Sequence, residues 1–522
     1  MDLFIKLAML VVFFGSMIYV GLYCRRHATD VNGFVLGGRS VGPWLTAFAY
    51  GTSYFSAVVF VGYAGQFGWK YGIAATWAGI GNALIGSLMA WAILGRRTRV
   101  MTQHLDSATM PQFFEKRFDS KALKLAASAI IFIFLIPYTA SLYNGLSRLF
   151  GMAFDIDYSV CVIAMAVLTG IYVIAGGYMA TAINDFIQGI IMLAGIVAVI
   201  AAVLKGHGGL MGALEGLAKV SDPTVSDAPG IFNSFLGPDP VNLMGVVLLT
   251  SLGTWGLPQM VQKFYAIKSE KAINKGMVIS TVFALVVAGG CYFLGGFGRL
   301  YSDRIDLAAG GYDSIIPTML SDLSPFLIAV VVILVLSASM STLSSLVLAS
   351  SSTLTLDFIK GPVVQELDTK KQLLIIRVLI AVFIAISVVI AIVQYKSNVT
   401  FIAQLMGVSW GALAGAFLAP FLYGLYWKRA SAASVWVSFL FSTVVMLANM
   451  FCKPLFPALL QSPINAGVFC MLAGLLIVPV VSLFTKAPDR AYVEQVFSCY
   501  DTKVIVNVTD AIGEPISKEE TK

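Results

Sequence analysis

Between Leu336 and Thr353 the chain reads LSASMSTLSSLVLASSST, eight serines and two threonines inside an apolar segment, Pro325 to Leu354. That segment is long enough to cross a bilayer, which takes roughly 20 residues at 1.5 Å rise. Ser337, Ser341, Ser344 and Ser345 fall at i, i+4, i+7 and i+8 and share one helix face, with Thr342 beside them. Neutral hydroxyls at membrane depth suit a hard, partly dehydrated monovalent cation, because oxygen replaces its water without burying a full charge. Small hydroxyl residues also let helices approach closely and bond their own i−4 carbonyls. On this stretch alone both readings stand.

A second candidate is Asp185, in Thr181-Ala182-Ile183-Asn184-Asp185-Phe186-Ile187-Gln188 at the start of another apolar segment. A carboxylate at that depth is costly unless a cation or hydrogen-bond donors meet it. No Lys or Arg lies within ten residues on either side, so hydroxyls or a bound ion are its expected partners. The alternative is a helix cap stabilised by the dipole.

These side chains sit in a chain of 522 residues that is 58% hydrophobic and 12% charged. Soluble domains average about 25% charged residues, so the composition defines an all-α polytopic membrane protein. A β-barrel would show short alternating strands instead. Expected spans number about thirteen, at 3–23, 42–68, 73–94, 123–150, 158–176, 181–204, 242–262, 275–298, 325–354, 373–395, 399–425, 431–452 and 465–485. The first lacks a small-residue cleavage site and is read as a retained span. With the N-terminus outside and the C-terminus cytoplasmic, most of the 34 Lys and Arg fall inside, Lys263, Lys268, Lys428 and Arg429 among them. The transmembrane domain covers 1–485, and 486–522 forms a polar cytoplasmic tail. Met110 to Phe118 reads as an amphipathic piece at the membrane interface. The loop from Lys205 to Pro240 is expected to hold a short helix.

Two spans are interrupted. One carries Ala49-Tyr50-Gly51-Thr52-Ser53-Tyr54-Phe55-Ser56-Ala57, the other Gly253-Thr254-Trp255-Gly256-Leu257-Pro258-Gln259. Each opens a block of five spans, giving core repeats over about 42–204 and 242–425. Broken helices at matching positions point to an inverted-repeat transporter whose site lies at the midplane, where freed carbonyls face a cation.

Other chemistries find little support. There is no Gly-rich phosphate loop and no histidine set beside a nucleophile, so neither pump nor hydrolase is indicated and no catalytic residue is assigned. The six cysteines show no metal-ligand spacing. Basic residues sit in loops, a topology pattern and not a nucleic-acid surface. A sodium-permeable channel or a solute sensor would share the hydroxyl chemistry.

Five short motifs in order resemble the sodium/solute symporter family, including its bacterial proline, pantothenate and sialic acid symporters. They are Leu36-Gly37-Gly38-Arg39-Ser40, Gly176-Gly177-Tyr178-Met179-Ala180, Gly256-Leu257-Pro258, Met340-Ser341-Thr342-Leu343-Ser344 and Gly424-Leu425-Tyr426-Trp427-Lys428-Arg429. The resemblance implies a thirteen-span LeuT-like fold, with 5+5 inverted repeats, and sodium-driven uptake of a small organic solute by alternating access. It places a shared sodium on the carbonyls of Thr52, Phe55 and Ala338 and the hydroxyls of Ser341 and Thr342. From the sialic acid branch it implies a second sodium on Asp185, Ser341, Ser344 and Ser345.

The solute is less constrained. Where proline permeases carry an aspartate two residues before the serine matching Ser56, this chain has Tyr54. Tyr138 matches an aromatic of that branch, while Thr254 replaces a tyrosine. Val59 and Thr76 stand where sugar transporters carry a glutamine and an acidic residue, which argues against hexoses. An amino acid such as proline, a small carboxylate and a pantothenate-like solute all fit. Tyr50, Tyr54, Asn82, Tyr138, Trp255 and Gln404 are the expected solute contacts. The partners implied are sodium, the solute and the lipid bilayer; oligomeric state stays open.

Overall fold

The serine-rich segment forms one helix, Pro325–Thr353, with Pro325 in its first turn and Ser324 capping Leu327 N–H. From Val331 to Thr353 every residue is buried. This helix lies deep in the bundle: 78% of its apolar window is covered by protein, against 94% for Gln404–Tyr426 and 22% for the first helix, Asp2–Cys24. Exposed Val11, Leu476 and Phe484 mark peripheral helices whose apolar sides face lipid. The structure, a computed structural model, describes residues 2–25, 29–154, 157–226, 228–307, 311–360, 364, 367–397 and 402–501. Among them, helices account for nearly all regular structure, and only isolated bridges pair backbones.

Ten helices are long and apolar enough to span a bilayer, or eleven with the bent pair Pro240–Trp255 and Pro258–Ala266. The expected thirteen is reached only by dividing Val58–His104 and Tyr158–Lys205, of 47 and 48 residues, into two crossings each. Length favours that division, because roughly 48 residues of helix extend about 70 Å against a core of about 30 Å. Both carry a glycine in positive φ, Gly72 at 61° and Gly177 at 56°. A Cβ would lie 2.0 Å from Phe232 O at the first and 2.7 Å from Phe34 O at the second. Only glycine turns the chain there.

The two interruptions are real breaks. Pro43–Tyr54 ends where Phe55 turns extended (φ −87°, ψ 119°), and helical backbone resumes as a π-turn at Val58–Tyr63 and an α-helix at Ala64–Tyr71. Exposed N–H groups at the restart are met by serines: Ser56 Oγ accepts from Val58 N–H at 3.2 Å and Ser339 Oγ from Ala57 N–H at 3.3 Å. In the second, Leu257 is extended because Pro258 follows it, and Pro258 begins the next half-helix, bent by 41°.

One end of the bundle gathers the basic loops. Arg39, from the Gly-Gly-Arg turn, donates to Tyr265 O, Thr102 O and Ser107 O, and Arg99 donates to Ile267 O. The expected amphipathic piece Met110–Phe118 is a helix packed by one face on the bundle. Phe113 and Phe114 are buried against Phe421 and Phe417, and Arg117 donates to Gly424 O and Trp427 O. Burial of the Arg117 guanidinium lowers its pKa to about 10. The tail starts as a helix, Arg490–Phe497, held by Lys428 on Glu494 at 2.6 Å, which keeps that carboxyl below its usual range. At the opposite end Arg299 joins Asp222 at 2.6 Å and Trp69 O at 2.8 Å. The long loop there holds the helix Gly209–Lys219.

Candidate cation and solute site

The serine-rich helix and the first break meet in a knot of oxygens. Ser341 Oγ lies 3.1 Å from Thr52 O and 3.0 Å from Ala338 O. Thr342 Oγ1 lies 3.0, 3.2 and 3.1 Å from the carbonyls of Thr52, Phe55 and Ala338. All five residues expected to share one ion therefore converge, although residues 52 and 342 are far apart in sequence. Each hydroxyl carries one proton, so two protons serve five close oxygen–oxygen contacts. At most two of those contacts are ordinary two-centre hydrogen bonds, and the others share a proton or have none. The knot is rich in oxygen and poor in protons, the composition that suits a hard cation.

The second expected set is arranged differently. Asp185 is fully buried on Tyr158–Lys205, and neither carboxylate oxygen accepts a hydrogen bond among the described residues. Its partner is a lysine that the sequence placed in a loop. Lys263, on the half-helix Pro258–Ala266, is only 2% exposed and puts Nζ 3.8 Å from Asp185 Oδ2. The same Nζ donates to Ser345 Oγ at 3.0 Å and lies 5.1 Å from the Tyr178 ring centroid. Ser345 Oγ is also 3.0 Å from Ser53 Oγ, beside the first break. Ser344 Oγ bonds Ser341 O at 2.9 Å within its own helix. Beside Asp185, where hydroxyls or an ion were expected, tertiary packing also delivers a lysine that neighbour-counting along the chain could not see.

The expected solute contacts scatter. Tyr50 OH donates to Gly86 O at 2.8 Å and Trp255 Nε1 to Ile85 O at 3.0 Å, both on the π-helical turn Asn82–Met89. These two lock helices together. Asn82 Oδ1 accepts from Ser251 Oγ at 3.2 Å, while its Nδ2 has no partner among the described residues. Tyr54 ends the first half-helix, and its side chain lies outside the described residues. Gln404 lines a cavity of about 1040 Å³ at the Asp222–Arg299 end, together with Gln66 and Trp69.

Tyr138 lies between the breaks, its ring edge-on to Trp410 at 5.9 Å, with Ser56 beside its hydroxyl. Trp410 in turn lies against Gly253 of the second break. Trp410 and Gln259 were not singled out from the sequence. Both are buried, and among the described residues Trp410 Nε1, both Gln259 amide atoms and Thr52 Oγ1 lack hydrogen-bond partners. Gln259's place directly after the Gly-Leu-Pro break was the available signal.

Two broken helices around a buried oxygen knot, inside a bundle of apolar helices, define a multi-pass membrane transporter of the LeuT fold. The chain belongs to the sodium:solute symporter family, whose model matches residues 34–441. It is 28% identical over 484 residues to the osmoregulated proline transporter OpuE of Bacillus subtilis (strain 168), covering 92% of this chain and 95% of the relative. It is 31% identical over 506 residues to the sodium/proline symporter of Staphylococcus aureus (strain JH9), covering 93% and 94%. The fold matches a sodium-coupled sialic acid symporter in its substrate-bound, outward-open state with a TM-score of 0.75 at 18% identity, over 93% of this chain and 98% of that one. Its function is sodium-coupled solute import, and family members are transporters and not enzymes.

Proposed function

We propose that this chain imports proline, or an amino acid of similar size, with sodium bound at the Thr52, Phe55, Ala338, Ser341 and Thr342 oxygens. The observation that carries the ion assignment is the shortage of protons in that knot. A sodium among the oxygens gives each of them a full partner in place of a shared proton. Proline is favoured by the named function of the two curated relatives, each matched over more than nine tenths of this chain. Tyr138 and Trp410 offer aromatic walls for a small ring between the breaks. Gln259, Thr52 Oγ1 and Asn82 Nδ2 supply spare buried polar groups on the two broken elements and the turn Asn82–Met89. The carboxylate needs no membrane-embedded arginine, since the Ala57 and Val58 N–H groups of the broken helix, now met by Ser339 and Ser56, can turn to it.

The basic end faces the cytoplasm in this reading, with the N-terminus outside and the cavity lined by Gln404 opening outward. The repeats occupy about 42–204 and 242–425. Purified protein in potassium-loaded proteoliposomes should accumulate radiolabelled proline when an inward sodium gradient is imposed. Unlabelled proline should compete, and sialic acid and pantothenate should not. Accumulation of sialic acid without proline would transfer the chain to that branch. Flux that never exceeds equilibration would make it a channel.

A further inference from the structure

We infer that the Lys263 ammonium is a tethered resident cation that takes the place of a second coupling sodium beside Asp185, so that one sodium accompanies each solute. The inference rests on the proposed sodium site at Ser341 and Thr342 and extends it to ion stoichiometry.

Position is the first argument. Ser345 follows Ser341 by four residues, so Lys263 Nζ is held about one helical turn, roughly 6 Å along the axis, from the oxygen knot. The surroundings are the second. A carboxylate at 3.8 Å, a hydroxyl oxygen at 3.0 Å and an aromatic face at 5.1 Å are what any monovalent cation would seek in a dry interior. The lysine already has all three. Charge is the third argument. Among the described residues, Lys263 is the charged group that the structure sets against Asp185. One carboxylate balances one cation, and a sodium added beside Lys263 would leave an unmatched positive charge in the membrane core. Of the other candidate ligands, Ser341 Oγ belongs to the knot and Ser345 Oγ already accepts from Lys263 and meets Ser53, while Ser344 Oγ donates to Ser341 O, which leaves its oxygen too few neighbours to build a site alone.

A lysine differs from sodium in one decisive way: it cannot leave. The charge moved per cycle is then that of the single sodium and whatever the solute carries. Removing the lysine charge should free Asp185 to recruit an ion. Lys263→Gln keeps a donor for Ser345 and loses the charge; Lys263→Met loses both.

Equilibrium binding of ²²Na to detergent-purified, monodisperse protein tests this directly. Wild type should bind one sodium per chain, Lys263→Gln and Lys263→Met two, and Lys263→Arg one. In proteoliposomes the sodium Hill coefficient should rise from one toward two in the neutral variants only. Two ions in wild type, or one in a neutral variant, overturns the inference and leaves the first site standing. No bound sodium in wild type overturns the first site and this inference together. Should neither neutral variant fold, the wild-type count decides alone: one ion upholds the inference and two overturn it.

Discussion

Thr342 Oγ1 lies 3.0 Å from the carbonyl oxygen of Thr52, joining the middle of the serine-rich helix to the last turn before the first break. That hydroxyl also approaches Phe55 O and Ala338 O, so it touches every carbonyl of the knot. Thr342→Ala should therefore weaken sodium activation by about 1–3 kcal/mol, a rise of about 5- to 150-fold in the sodium concentration for half-maximal uptake. Ser341→Ala should be milder, because its hydroxyl meets two of the carbonyls. Thr342→Ser should behave as wild type. Uptake assays over a sodium titration decide, and unchanged sodium dependence in both alanine variants removes the site.

The buried Lys263–Asp185 pair should show coupling in a double-mutant cycle. Removing one partner of a buried pair costs about 3–5 kcal/mol, and the absence of a shared hydrogen bond places this pair toward the lower figure. In sodium-free buffer, Asp185→Asn and Lys263→Gln should each lower the melting temperature. The double variant should recover much of the loss. Adding sodium should restore Lys263→Gln selectively, since only that variant keeps an unmatched carboxylate. Additive losses in the cycle would show that the two groups do not interact.

At the opposite end, hydrogen bonds from Thr224 and the Arg299 guanidinium hold the Asp222 carboxyl below its usual range. A depressed carboxylate contributes stability at neutral pH that is lost as pH falls through its folded value, below the ordinary figure of about 3.9. Because the group is partly exposed, the contribution should stay under about 1 kcal/mol. Asp222→Asn should thus melt slightly below wild type at pH 7, with the gap closing as pH falls below the ordinary carboxylate range. A gap that is constant with pH would mean that the carboxylate charge contributes nothing.

Cys452 is exposed and adjoins Lys453, which lines the same cavity as Asp222, whereas the other five cysteines are buried. In intact cells a membrane-impermeant maleimide added outside should label wild-type protein, and Cys452→Ser should abolish the signal. A cysteine introduced at Ser269, near the basic end, should label only after permeabilisation. The reverse pattern inverts the proposed orientation.

The breaks were legible because small and polar residues interrupt apolar runs, and the oxygen knot followed from a family resemblance laid on those breaks. Two things were not. Lys263 lies one residue beyond the expected end of its span, and only the fold shows that the half-helix after Pro258 runs to Ala266 with the lysine turned inward. Tyr50 and Trp255 have the chemistry of solute contacts, yet their hydrogen bonds end on carbonyls of the π-helical turn Asn82–Met89. Such a turn follows from packing against neighbours, which composition does not encode.

Between Thr52 and Phe55 the chain does two jobs at once. Two carbonyls of this stretch belong to the oxygen knot, and the hydroxyl of Ser53 between them rests on Ser345, which holds Lys263. The stretch behaves as a double-pole switch. Any swing of the Pro43–Tyr54 half-helix away from the serine-rich helix parts both contacts in one stroke, so release of the mobile cation and loosening of the fixed one are a single mechanical event.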